Sequence, residues 1–136
     1  MTIMRAERPL SSSVPATPVT PLQQAEGAAI AAATMAVLVL AGFSWWWPLA
    51  LFLVFDLSMI GYAISIRIGA LGYNLVHNYA APAALAAGCS ILITVGHPMP
   101  ALAIIAASWM FHVGVDRALG YGPHATDRPL RAGFSV

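Results

Sequence analysis

The sequence predicts an all-α, polytopic membrane protein, a bundle of four transmembrane helices joined by short turns. Of its 136 residues, 60% are hydrophobic and 8% are charged, whereas a soluble domain carries about 25% charged residues. Residues 68–115 form a run of 48 without Asp, Glu, Lys or Arg. So small a chain has too few polar residues to cover apolar segments of that length, which therefore indicate a membrane protein.

Turn signals divide the chain into three parts. Residues 1–24 contain several prolines among Ser and Thr, a composition that predicts a disordered, exposed tail. Residues 25–120 form the transmembrane domain, and residues 121–136, rich in Gly and Pro, form a flexible C-terminal tail. The predicted helices span about 26–43, 48–66, 70–95 and 101–119.

Each element has its own local signal. The first half of helix one is nearly all Ala and Gly, which permits close approach of another helix. Residues 45–47 are three tryptophans, which favour an interfacial belt over a cofactor-stacking site, and Pro48 suits the first turn of helix two. Helix three is polar only in its first half, and residues 96–100, Gly-His-Pro-Met-Pro, form the turn before helix four.

The basic residues predict the orientation. All six are arginines, and they lie in the two tails, at the end of helix four and in the loop at Arg67, whereas the two opposite turns have none. This distribution predicts a multi-pass protein of a bacterial inner membrane with both termini in the cytoplasm. Its partner is then the lipid bilayer, and no basic patch points to nucleic acid.

The ionisable residues of the predicted helices cluster in the cytoplasmic half. Asp56 lies about 15 Å from the cytoplasmic end of helix two, and His77 about 6–10 Å from the start of helix three. His112 and Asp116 are four residues apart and therefore share one face of helix four. Because charged groups are costly in the hydrocarbon region, the four are predicted to face one another inside the bundle.

Three chemistries fit this set, and the sequence names no reaction. Two imidazoles and two carboxylates can hold a divalent transition metal. They can also form an acid/base or proton-relay pair without a metal, and a bis-histidine haem is a third option. The candidates for supporting these four side chains or binding a substrate are Asn74, Tyr73, Glu26 and Arg117, the last for an anionic substrate or lipid headgroup.

Other interpretations need no cofactor. Asp116 can pair with a neighbouring arginine, and Asn74 and His77 can bridge helices by hydrogen bonds. The protein can then be a small accessory or transporter-like subunit that uses the cluster for proton or ion handling, as a homo-oligomer or with a membrane-complex partner. His124 and Asp127 are interpreted as solvated tail residues.

Three polar segments carry a family resemblance: Phe55-Asp-Leu-Ser-Met-Ile-Gly-Tyr62, Gly72-Tyr-Asn-Leu-Val-His-Asn-Tyr79 and His112-Val-Gly-Val-Asp-Arg-Ala-Leu-Gly-Tyr-Gly122. Between Glu26 and Gly122 the chain resembles a family of small bacterial four-helix membrane proteins classified as a domain of unknown function. The resemblance implies the architecture and no activity. The chain departs from the family at residues 125–131, where an Asp-Thr-His-Leu-Gly-like motif is replaced by Ala-Thr-Asp-Arg-Pro-Leu-Arg.

Overall fold

The computed structural model describes residues 18–124, which are all-helical apart from short connections. Three helical segments are long and apolar enough to cross a membrane: Pro21–Leu40, Ile66–Thr94 and Pro100–Ala118. The second of these contains two consecutive helices. The segment Trp47–Ala63 is apolar but shorter. The elements are α1 Pro21–Leu40, α2 Trp47–Asp56, a 3-10 helix Leu57–Ala63, α3 Ile66–Val76, α4 Ala80–Thr94 and α5 Pro100–Ala118.

Helix α1 begins five residues before the predicted start. Thr20 caps it, because its hydroxyl accepts from the Gln23 backbone N–H at 3.3 Å while the Gln23 side chain accepts from the Thr20 N–H at 2.9 Å. With Pro21 in the first turn, this capping box fixes the start. Residues 21–24, predicted as tail, are therefore helical. The helix ends at Leu40 rather than residue 43, where Gly42 turns the chain with φ 84°.

The second and third predicted helices are both interrupted. The second changes to a 3-10 helix directly after Asp56. The third breaks at residues 77–79 into α3 and α4. Pro82 accounts for this break, because a proline has no N–H to donate to the carbonyl four residues earlier, that of Asn78, and its ring clashes there. The Asn78 side chain accepts instead from the N–H groups of Ala80 and Ala81, at 2.9 and 3.3 Å.

Helix α5 is the centre of the packing. Along one side it contacts α1 and on others α2 and α4, whereas α3 packs against the 3-10 helix. The α1–α5 contact runs through Gly27, Ala31 and Gly114, where the backbones approach so closely that a Cβ on Gly114 would lie 2.9 Å from the Gly27 carbonyl oxygen. The small residues of α1 thus serve a contact within the chain.

Candidate metal centre

Helix α5 supplies two of the four side chains predicted to meet. His112 and Asp116 lie one turn apart on its inner face, and the His112 side chain is fully buried. The His112 ring packs against two aromatic rings of α2, with its centroid 4.4 Å from that of Phe52 and 5.4 Å from that of Phe55. His112 is therefore positioned by packing.

The other two side chains come from helix ends. Asp56 is the last residue of α2, and its side chain is 36% exposed. His77 follows the last residue of α3, at the break caused by Pro82, and its side chain is 2% exposed. The two interruptions of the predicted helices therefore coincide with two of the predicted site residues.

The structure brings all four side chains to one point. Nε2 of His77 lies 3.0 Å from Nε2 of His112, 3.4 Å from Oδ1 of Asp56 and 3.3 Å from Oδ2 of Asp116. Nε2 of His112 lies 3.5 Å from each of the same two oxygens. All four atoms lie within 4.8 Å of one another. Their roles as ligands or as acid and base stay a prediction.

These separations match the distances between neighbouring ligand atoms around a metal ion. With metal–ligand bonds of about 2.0–2.2 Å, tetrahedral ligand atoms lie about 3.3–3.6 Å apart and adjacent octahedral ones about 2.8–3.1 Å apart. Five of the six separations fall between 3.0 and 3.5 Å. One ion at the centre would therefore be in reach of one nitrogen or oxygen from each residue.

A hydrogen bond at Nδ1 of His77 leaves its Nε2 free to bind a cation. Nδ1 of His77 lies 3.1 Å from the backbone carbonyl oxygen of Tyr73. A carbonyl oxygen only accepts, so Nδ1 carries the proton and the Nε2 of the neutral ring presents a lone pair to the cluster. An imidazole that ligates through one nitrogen and donates from the other is the usual arrangement at metal centres.

Without a cation, the cluster lacks donors. The Nε2 lone pair of neutral His77 faces two carboxylate oxygens, which also only accept, so His112 Nε2–H would be the single donor among four inward atoms. The His112 Nδ1 has no hydrogen-bond partner among residues 18–124. A metal ion or additional protons would remove this repulsion between acceptors.

The geometry does not fit a bis-histidine haem, the third of the predicted options. The two axial nitrogens of a haem iron lie on opposite faces of the macrocycle, about 4 Å apart. Here the two Nε2 atoms are 3.0 Å apart, and carboxylate oxygens lie 3.3–3.5 Å from them, where the ring would have to be. These distances therefore favour a metal ion or an acid/base pair over a bis-histidine haem.

His124 is a site neighbour that the sequence did not reveal. Its ring stacks on Tyr73, with centroids 3.8 Å apart, and Tyr73 stacks in turn on His77 at 3.8 Å. Asn74 fixes the His124 backbone by two hydrogen bonds of 2.8 Å, and the Tyr62 hydroxyl lies 2.6 Å from His124 Nδ1. Burial, with a smaller effect of His77, lowers the pKa of His124.

From the sequence alone, His124 is interpreted as a solvated tail residue and residues 121–136 are predicted to be flexible. That interpretation is wrong for His124, and residues 125–136, including Asp127, lie outside the described part. The contact partners of His124 are about 50–60 residues away in sequence. No local sequence pattern therefore predicts the contact.

The remaining predicted neighbours are distributed around the cluster. Tyr73 contacts His77 through its ring and its carbonyl. Asn74 binds the His124 backbone. Arg117 donates to the His77 carbonyl at 3.4 Å, and Glu26 lines a separate cavity with Arg117. Tyr73 and Arg117 are thus next to a cluster residue, whereas Glu26 is not part of the cluster.

Comparisons with known proteins identify a family. No curated protein and no solved structure matches the chain. A family model described as a domain of unknown function, DUF4260, matches residues 20–128, which include all four cluster residues. The resemblance predicted from the three polar segments is therefore confirmed, and the chain belongs to the DUF4260 family.

Proposed function

We propose that the chain is an integral membrane protein that holds one divalent transition-metal ion between Asp56, His77, His112 and Asp116. Large apolar side chains cover much of its outside, for example Leu40 at 86% and Leu53 at 74% exposure. Such a surface favours contact with lipid. The arginine distribution supports a multi-pass protein of a bacterial inner membrane with both termini in the cytoplasm.

The metal proposal rests on one observation, the short distances among one ligand atom from each of the four side chains. Four ligand atoms from three helices lie within 4.8 Å of one another, and five of their separations are those of a coordination shell. Simple helix bridging needs one donor facing one acceptor. Here two carboxylates face the same two nitrogens, which is the pattern of several ligands around one cation.

The charge of the ligand set supports a divalent ion. Two carboxylates and two neutral imidazoles carry a charge of −2, so a divalent cation leaves a neutral centre. Neutrality matters here because both imidazoles are buried, and an uncompensated charge is costly to bury. The mixed nitrogen and oxygen ligands suit zinc, iron or manganese.

Asp56 gives the proposed centre an accessible side. Its side chain is 36% exposed and that of Asp116 is 14% exposed, while both imidazoles lie behind them. A water molecule or a small substrate would reach the ion from the side of Asp56. An ion that takes a further ligand on that side, beyond the four side chains, can activate a bound molecule, as an enzymatic role requires.

The test is the metal content of the protein purified in detergent without chelators. We expect about one zinc, iron or manganese ion per chain in the wild type, and below about a tenth of that in the double variant His77→Ala, His112→Ala, which loses two direct ligands. His97→Ala is the matched control, because His97 is exposed in a turn. Its metal content should equal that of the wild type.

A second measurement separates loss of metal from loss of folding. The circular dichroism spectrum of the double variant should retain helical signal, with metal lost. Correctly folded wild-type protein that contains no metal and takes up none on dialysis would overturn the proposal. Equal metal loss in His97→Ala would do the same.

The second candidate is proton or ion handling by an accessory or transporter-like subunit. It is favoured by the gradation of exposure in the cluster, from the fully buried His112 to the partly exposed Asp56, which provides a route for a proton into the bundle. Folded, metal-free wild-type protein that forms an oligomer or recovers a membrane partner on crosslinking would favour this function over the metal centre.

A further inference from the structure

A second polar region lies beside the cluster without including it. A cavity of about 460 Å³ opens at the end of the bundle where α1 begins and α5 ends. None of the four proposed metal ligands lines it. Its lining includes Thr20, Gln23, Glu26, Ile30, Tyr79 and Arg117.

Two opposite charges face this cavity without pairing. Arg117 donates to two neutral backbone carbonyls, that of Tyr121 at 3.0 Å and that of His77 at 3.4 Å. Within residues 18–124, the ion pairs closer than 4.0 Å all belong to the metal cluster, so Glu26 and Arg117 are not paired with each other. The cavity therefore presents a cation and an anion at separate places.

The third polar group is a hydroxyl. Tyr79 lines the same cavity, and its buried oxygen has no hydrogen-bond partner in the part of the chain that the structure describes. That oxygen has no surface open to a water-sized group, so it does not itself face the cavity. The donors that suit a phosphate group there are the N–H groups of the Arg117 guanidinium that bind neither carbonyl.

The cavity lining changes from polar to apolar along α1, which indicates how a bound ligand would be oriented. Ile30 lies one turn further along α1 than Glu26, towards the apolar middle of the helix, whereas Thr20 and Gln23 lie at its capped end. A ligand that fits this gradient has a polar head and an apolar continuation. In the proposed orientation, the cavity lies near the cytoplasmic surface of the bilayer, at headgroup level.

We propose that this cavity binds a phosphate–ammonium zwitterion of the phosphoethanolamine class, with the phosphate at Arg117 and the ammonium at Glu26. The same chemistry occurs in a lipid headgroup and in free phosphoethanolamine. The proposal does not depend on the metal centre, because it uses none of the proposed ligands.

The test is native mass spectrometry of the full chain in detergent, titrated with short-chain phosphatidylethanolamine or phosphatidylglycerol. Both lipids carry the phosphate, and only the first carries the ammonium. We expect one bound phosphatidylethanolamine, preferred over phosphatidylglycerol by about two- to fivefold, as an ion pair with the exposed Glu26 implies. Competition by free O-phosphoethanolamine would indicate a soluble zwitterion, and a requirement for acyl chains would indicate the lipid.

Glu26→Gln tests the ammonium site directly. It should remove the preference between the two lipids while phosphatidylglycerol binding and metal content stay as in the wild type. Arg117→Gln should weaken the binding of both lipids. Arg67→Gln is the matched control, because it removes an exposed arginine outside the cavity and should change neither affinity.

Three results would overturn the proposal: equal affinity of the wild type for both lipids, a preference that survives in Glu26→Gln, or equal effects of Arg67→Gln and Arg117→Gln. Each would mean that lipid binding is general adhesion to the apolar surface. None of these results would bear on the metal content, so the two proposals can fail separately.

Discussion

The two sides of the bundle that meet at the cluster are built differently. Helices α1 and α5 are unbroken over 20 and 19 residues and touch through glycines. By contrast, α2 and α3 stop at the cluster, and Asp56 and His77 lie at their ends. The unbroken pair provides a fixed frame that carries His112 and Asp116, and the interrupted pair places the other two side chains against it. In this fold, α1 and α5 therefore provide rigidity, whereas the ends of α2 and α3 place the other two side chains.

The largest effect is expected in the unbroken pair, from Gly27→Ala. The added Cβ would lie 2.7 Å from the Gly114 carbonyl oxygen and 2.8 Å from the Ala118 nitrogen, and backbone atoms cannot move aside cheaply. We expect a loss of about 1–3 kcal/mol in the free energy of unfolding, as for other overpacked contacts. Thermal or SDS-induced unfolding in detergent, followed by circular dichroism, measures it.

Gly88→Ala is the matched control for that change. A Cβ on Gly88, within α4, meets no atom within 4 Å, so the same substitution should leave stability equal or slightly raised. If both variants are equally stable, the α1–α5 contact is not the rigid frame described above, and the contrast between the two sides fails.

A smaller effect is expected in the interrupted pair, from Asn78→Ala. The Asn78 side chain accepts from the Ala80 and Ala81 N–H groups and donates to the Asn74 carbonyl at 2.9 Å. Its loss should cost about 1 kcal/mol, as for a lost helix cap. Because His77 is the preceding residue, metal affinity should fall about tenfold, as when a ligand loses its support. Competition with a chelator measures the affinity.

Ser90→Ala provides the comparison for Asn78→Ala. The Ser90 hydroxyl donates to the Ala86 carbonyl within α4, at an exposed position away from the break. Its removal should leave metal affinity unchanged. Equal affinity of the wild type and Asn78→Ala would show that the break does not position His77.

The two sides also differ in how far the sequence predicts them. The long apolar runs predicted an all-helical protein, and the four-residue spacing of His112 and Asp116 predicted their common face, because both depend on local pattern. The breaks after Asp56 and at residues 77–79 were missed. Pro82 was the local signal for the second break, but a long apolar run outweighed it in the prediction of one continuous helix.

Tertiary contacts explain the other differences. The docking of His124 depends on Tyr62 and Asn74, which lie far from it in sequence. Glu26 was predicted to support the cluster or bind a substrate, and in the structure it lines the cavity with Arg117. Depth along helix one did not give the direction of Glu26 around the bundle, because that direction depends on how α1 packs on α5.

The smallest expected effect concerns pH and the docking of His124 on the interrupted pair. Burial lowers the pKa of His124 in the folded protein relative to about 6.5 in the unfolded chain. The neutral ring is therefore the favoured folded form, and its contribution to stability is complete above about pH 6.5 and is lost as pH falls below that value. Tyr62, Tyr73 and His77 are the titratable groups that face or influence this ring.

His124→Phe isolates this contribution, because phenylalanine retains an aromatic ring for Tyr73 and does not titrate. The variant should lose the Tyr62 hydrogen bond, worth about 1 kcal/mol at neutral pH, and the difference in stability from the wild type should shrink as pH falls from 7 to 5. Unfolding of metal-free protein at each pH measures it, and the cluster groups titrate equally in both proteins. A difference that stays constant with pH would mean that the His124 ring is not buried against Tyr73.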